Sequence, residues 1–165
     1  MKTFIKLSLN SNGAGIEQAS EKTAEFLNSQ GFPGKIVHEQ IIILNKLYKI
    51  CLRYSSCKSH QRNMTVRIII QGDKIIIEVS YPIIDIQNKQ LEELDKTIQF
   101  IRGFQDPFEA YTKLKTDFKN GSNGIALAKL AYEGRTIVDF FVSEQNVMNM
   151  SAVRTINCLA GKKYV

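Results

Sequence analysis

The residues best suited to phosphate chemistry lie in one stretch, 119–134, Lys-Asn-Gly-Ser-Asn-Gly-Ile-Ala-Leu-Ala-Lys-Leu-Ala-Tyr-Glu-Gly. A polar run of Asn120, Gly121, Ser122, Asn123 and Gly124 opens into the helical apolar pattern of Ile125, Leu127, Ala128, Leu130 and Ala131. Backbone N–H groups of such a loop, with those of the helix start behind it, can converge on one anion. Gly134 stands where a helix C-terminus accepts a glycine. The same pattern also serves a plain connection between elements.

A second chemically marked stretch is basic. Between Glu39 and Asp73 there is no acidic residue, whereas Lys46, Lys49, Arg53, Lys58, Arg62 and Arg67 all fall there. With a formal charge of +6 and a pI near 9.2 this invites a nucleic-acid reading. The stretch lacks the aromatic interleaving of a single-strand binder and any recognition-helix signature. A solvated face or a protein-docking patch fits it better, and nucleic acid is not the expected partner.

Three cysteines (Cys51, Cys57, Cys158) and two histidines offer neither a disulfide framework nor metal-ligand spacing, so no metal site is expected. Cys51 falls on an apolar helix face, the usual place of a free cysteine. With 165 residues, 44% of them hydrophobic and 23% charged, the chain reads as one globular domain over 1–165. Its expected core spans about 3–152, with a basic tail over 153–165. No apolar run approaches the roughly 20 residues of a membrane span, and the first residues alternate without a signal-peptide core. A cytoplasmic location, with no membrane partner, is the expectation.

The elements that must position these residues follow from periodicity. Residues 3–9 alternate as a strand, with Phe4 and Lys6 on one side and Ile5, Leu7 and Leu9 on the other. A turn-rich loop over 10–15 precedes a helix carrying Ile16, Ala19, Thr23, Phe26 and Leu27, which stops near Gly31 and Pro33. A long helix is predicted over 35–54, with Ile43, Leu47, Ile50 and Tyr54 on its buried face and Lys46, Lys49 and Arg53 beside it. Residues 55–63 read as a loop. The isoleucine-rich runs 65–71 and 74–80 flank Gly72-Asp73, a II′ hairpin turn, and read as central strands. Leu91, Leu94, Ile98 and Ile101 mark a helix ending at Gly103, and Asp106-Pro107 caps another through Tyr111, Leu114 and Phe118. A second hairpin, 135–143 with 147–152, closes the order. The expected fold is an α/β (α+β) two-layer sandwich, with helices on one face of a mixed, mainly antiparallel sheet.

This succession resembles the histidine-kinase-type (GHKL) ATPase fold, and within it the small anti-sigma-type serine kinases of bacterial partner-switching systems, including the SiaB-like branch. The resemblance covers residues 4–152 and is carried most specifically by 91–101 (Leu-Glu-Glu-Leu-Asp-Lys-Thr-Ile-Gln-Phe-Ile), 106–111 (Asp-Pro-Phe-Glu-Ala-Tyr) and 124–134. It implies ATP or ADP as cofactor and three site elements. On the long helix the family places a glutamate base and, four residues on, an asparagine that ligates magnesium. Lys46 and Ile50 occupy those positions here, and neither can do that work. Asn45 and Glu39 lie nearby without reproducing the spacing. After the central strand the family places a polar adenine reader followed by a glycine. Tyr81 stands there, no glycine follows, and the nearby Asp85 reads as a loop residue. In the second glycine box Ala126 replaces a glycine, although 120–124 can still donate N–H groups and Lys46 could meet phosphate.

The resemblance with all three elements degraded implies a pseudokinase-like regulator that retains no cofactor and acts by protein–protein interaction. Its implied partner is a STAS-type antagonist, a sigma factor or a response-regulator output, met through Lys46, Lys49, Arg53, Lys58 and Arg62. The alternatives are an active ATP-binding serine kinase using Lys46, Tyr81 and the 120–124 loop, and a nucleic-acid-binding domain. Homodimers are common among the look-alikes, and the first strand or the long helix could supply such an interface.

Overall fold

The computed structural model describes residues 2–10, 13–54, 63–83, 88–117 and 122–156. In chain order it contains β1 (Lys2–Asn10), α1 (Gly13–Ser29), α2 (Gly34–Tyr54), β2 (Asn63–Gln71), β3 (Lys74–Pro82), α3 (Asn88–Arg102), α4 (Pro107–Thr116), α5 (Ser122–Gly134), β4 (Ile137–Val142) and β5 (Val147–Thr155). The sheet has the order β1-β2-β3-β5-β4, and its four pairings are all antiparallel. β2 and β3 are therefore interior strands, each paired along both edges. Gly72 takes φ 59 at the first turn position while Asp73 stays out of the left-handed region, as a II′ turn demands.

One face of the sheet carries the core. Leu9, Met64, Val66, Ile68, Ile75, Ile77, Val79, Tyr81, Met148, Met150 and Ala152 are buried, one residue in two along the strands. Against them α2 turns Val37, Ile43, Leu44, Leu47, Tyr48, Ile50 and Cys51. Its 21 residues bear apolar side chains at three- and four-residue intervals, so one stripe faces the strands and the other meets water. α1 and α5 flank it, and α3 and α4 complete the layer on the same side. Asn45 ties α2 to α1, its Nδ2 donating to Ser20 Oγ at 3.2 Å and to Ile41 O at 2.8 Å.

The helix ends are set by local chemistry. Asp106 caps α4 by accepting from Phe108 N at 2.9 Å, with Pro107 in the first turn. α1 closes on Gly31 at φ 79, with Phe32 N donating to Leu27 O and Gly31 N to Asn28 O. α5 closes in the same double-bonded way, Thr136 N to Ala131 O and Arg135 N to Tyr132 O, but the left-handed residue is Arg135 at φ 49. The preceding Gly134 has a different reason to be glycine. A Cβ there would stand 3.2 Å from Ile43 Cγ1, so its hydrogen lets α5 approach α2. Left-handed backbone disfavours a residue with a Cβ by about 1–2 kcal/mol, partly offset by glycine's larger unfolded-state entropy. Arg135→Gly is accordingly expected to stabilise the fold by about 0.5–1 kcal/mol, seen as a thermal midpoint higher by roughly 1–4 °C. An unchanged midpoint would mean that the Arg135 side chain stabilises the turn to the same degree.

Two expected boundaries move. Ser122, Asn123 and Gly124 belong to the first turn of α5 rather than to a loop, because the helix starts two residues before the last glycine. β5 runs to Thr155, past the expected core limit at 152. Val153, Arg154 and Thr155 pair with Ile76, Ile75 and Lys74, and Ile156 is buried with its N–H on Asp73 O at 2.7 Å. Among the described residues no helix is long and apolar enough to cross a membrane.

Candidate functional site

α2 and α5 lie antiparallel and side by side, and this junction gathers Lys46, Lys49, Arg53, Asn123 and Gly124 of the residues that the sequence marked. Lys46 Nζ donates to the Glu133 carboxylate at the C-terminal end of α5. Two helical turns further along α2, Arg53 Nη1 stands 3.5 Å from Asn123 Oδ1 in the first turn of α5. Ten residues of α5 separate those contacts, about 15 Å along the axis. Lys46 is thus drawn to the opposite end of α5 from Asn123 and Gly124, and Arg53 is the α2 cation that reaches the helix start. Lys49 lies between them, exposed to solvent. Lys58, Arg62, Asp85, Asn120 and Gly121 lie outside the described residues.

Ile50 and Tyr81 are core residues. Ile50 is 3% exposed, because the stripe that carries Ile43 and Leu47 also carries position 50 toward the sheet. Tyr81 is 1% exposed on the buried face of β3, and its hydroxyl donates to Met148 Sδ at 2.7 Å on β5. Gly124 is buried and Asn123 half-buried. The two side chains that resembled a displaced base and ligand are also engaged. Asn45 joins α2 to α1. Glu39 Oε2 faces Arg154 Nη2 at 2.6 Å.

Charge is compensated only at the Glu133 end of the junction. The Lys46 hydrogen bond to Glu133 holds its carboxyl below the ordinary carboxylate range, with Lys129 one turn earlier acting in the same sense at 3.7 Å. A cleft of about 230 Å³ opens beside it, with Glu39 and Lys46 on α2, Glu133 and Gly134 at the end of α5 and Arg154 on β5. Each of its two cations already faces a carboxylate, so the cleft presents no net charge to a ligand. Burial pushes the Cys51 thiol well up, which removes it as a thiolate nucleophile. At the far end of α2, burial raises the Tyr54 phenol, and the Glu93 charge adds to that rise.

Sequence reasoning missed the aromatic neighbour of this surface. Phe108 and Tyr111 of α4 meet Tyr132 of α5 with ring centroids 4.9 and 5.9 Å apart, and Phe108 and Tyr132 remain exposed. Lys115 stands over the Tyr111 ring at 5.8 Å. Their spacing along each helix carried no signal, because the cluster forms only when α4 and α5 pack. The combined surface bears Lys46, Lys49 and Arg53 on one side and a tyrosine–phenylalanine group on the other. Chemically it suits capture of an acidic, partly apolar protein surface, since tyrosine and arginine dominate interface energetics.

No family model matches the chain, and no curated protein sequence matches it. Among solved structures it is similar to a chain in the crystal structure of the SiaB–SiaC complex from Pseudomonas aeruginosa. The TM-score is 0.64 at 13% sequence identity, covering 92% of this chain and 89% of that chain. At that identity the likeness is one of fold. The α+β sandwich built on an antiparallel sheet is therefore an architecture this chain shares with a protein crystallised in a two-protein complex.

Proposed function

We propose that this chain is a regulator of the partner-switching kind, built on a histidine-kinase-like ATPase scaffold and acting by docking a protein partner rather than by phosphoryl transfer. The observation that carries this reading is the orientation of α2. Its solvent face presents Lys46, Lys49 and Arg53 beside α5, while position 50 is turned into the core. Phosphoryl transfer relies on a base and a metal ligand aimed at one point, and α2 offers a cation and a buried hydrocarbon at the positions resembling them. The structural neighbour's presence in a complex of two proteins is in keeping with a docking role. The partner class inferred is an acidic regulatory protein such as a STAS-type antagonist.

Charge steering acts mainly on association rate. The Lys49→Glu/Arg53→Glu chain is expected to capture its partner from source-cell extract at least about tenfold more slowly at low salt, with the difference shrinking as salt rises. Equal capture by both chains would remove the docking surface from α2. Phosphate transfer from labelled ATP to the captured protein would remove the non-catalytic reading.

One observation favours nucleotide sensing as a second reading: Arg53 stands beside the start of α5, and a helix N-terminus with a cation next to it suits a phosphate. Calorimetric titration of ATP and ADP, with and without magnesium, separates the readings. Heat that disappears in Arg53→Ala supports nucleotide sensing; no heat at millimolar nucleotide rejects it.

A further inference from the structure

The two edges of the sheet differ. β4 is six residues long, and α3 reaches it through the Arg102–Asp139 ion pair at 3.0 Å. β1 pairs with β2 over nine residues, from Lys2 with Gln71 to Asn10 with Asn63, with neither a bulge nor a proline. Among the described residues no strand lies along its outer edge. Alternate residues of an antiparallel edge strand turn both N–H and C=O away from the sheet, so β1 offers about four such donor–acceptor pairs. Beside them a groove of about 130 Å³ is walled by residues 6–9 of β1 and by Gln18, Ala19 and Lys22 of α1. Small-molecule sites run to roughly 300–1,000 Å³, so this groove has the size for a side chain or two rather than for a whole ligand.

We infer that the β1 edge and its groove form a strand-addition site for an acidic, extended peptide segment of another protein. This inference is independent of the α2 docking surface. An extended chain is the ligand whose own N–H and C=O groups match an open strand edge, and its alternate side chains give the pairing specificity. On the helix side of the sheet, where Leu7 and Leu9 lie, a side chain of the added strand meets Gln18 and Lys22. The next residue of that strand points to the reverse side, where Lys6 lies. Neighbouring acidic residues therefore meet one lysine each.

Charge selects the occupant. Lys6 and Lys22 are exposed and have no ion-pair partner among the described residues, and no carboxylate lines the groove. Lysine on an edge strand discourages pairing with a like strand. β1 carries Lys2 and Lys6 and no acidic residue, so a second β1 is repelled where an acidic strand is attracted.

The probe is a capped, end-labelled peptide, Thr-Val-Glu-Asp-Val-Glu-Val-Thr. By fluorescence anisotropy in about 0.1 M salt it should bind wild type with a dissociation constant below about 1 mM, and the same peptide with lysine at its acidic positions should not bind. Lys6→Glu/Lys22→Glu should weaken binding about tenfold or more, with thermal unfolding to check that these exposed changes leave the fold intact. Only alternate N–H groups of an added strand face β1. N-methylation of one alternate set should therefore weaken binding about tenfold or more, while methylation of the other set leaves it within about twofold. Hydrogen exchange over residues 2–10 should slow when the peptide is present. Absence of binding at about 1 mM peptide, equal binding by the lysine peptide or by Lys6→Glu/Lys22→Glu, or the same response to both methylation patterns would overturn the inference. So would binding that Lys49→Glu/Arg53→Glu abolishes and Lys6→Glu/Lys22→Glu leaves intact, which would move the peptide to α2. The α2 surface itself is judged separately, by partner capture.

Discussion

Ile50→Asn is expected to destabilise the protein by about 2–5 kcal/mol and to build no metal site. The substitution replaces a side chain that is 3% exposed with an amide whose donors and acceptor find no water. The lost apolar transfer costs about 1–2 kcal/mol and the unsatisfied amide about 1–3. Adding Lys46→Glu would restore the residue types that the kinase-like helix resembles, yet it would place a glutamate against Glu133 where an ion pair now stands. Urea unfolding measures the first effect, and ATP turnover with magnesium measures the second. Near-wild-type stability together with magnesium-dependent turnover would show that α2 can present position 50 to a ligand, and would end the docking-only reading.

Tyr81→Ala is expected to cost about 3–5 kcal/mol, the range for removing a fully buried aromatic side chain and leaving its cavity. Tyr81→Phe should cost about 1 kcal/mol or less, because the hydroxyl donates to a thioether, a weak acceptor. The contrast separates a structural tyrosine from an adenine reader. If Tyr81 serves packing alone, any calorimetric response to ATP is the same in Tyr81→Phe and wild type. A response lost in Tyr81→Phe, at unchanged stability, would return this residue to the nucleotide site.

The strands and the long helix were legible because burial imposes a period on the chain. Phe4 and Lys6 against Ile5, Leu7 and Leu9, and the isoleucine runs at 68–70 and 75–77, read directly as one half-buried and two interior strands. The turn at Gly72-Asp73 and the cap at Asp106-Pro107 were legible for a local reason, since each satisfies its own backbone without help from distant residues. The end of α5 was not. Glycine is the usual left-handed residue, so Gly134 drew that role, whereas packing against Ile43 claims it and Arg135 bears the strained conformation. The end of β5 was hidden by Arg154, an inward-pointing cation that breaks the apolar alternation. Only the fold reveals Glu39 waiting for it.

The candidate site was legible as a list of residues and opaque as an arrangement. That Lys46, Lys49 and Arg53 share a helix face follows from their spacing. That Lys46 is held by a carboxylate 87 residues away, and Arg53 by Asn123, depends on α5 running antiparallel to α2. The aromatic group of Phe108, Tyr111 and Tyr132 was missed for the same reason.

The sheet order has a kinetic corollary. The β2–β3 and β4–β5 hairpins close locally, but β1 meets β2 only after α1 and α2 have been spanned, and β3 meets β5 only after α3, α4, α5 and β4. Non-local pairings of this kind defer their reward until large loops have closed, which places folding in the slower, millisecond-to-second regime. Until β1 docks, the growing chain would carry β2, among its most apolar strands, with one edge bare. Partly folded chains would therefore tend to stick to one another through that edge, the form in which such a topology exposes a cell to aggregation.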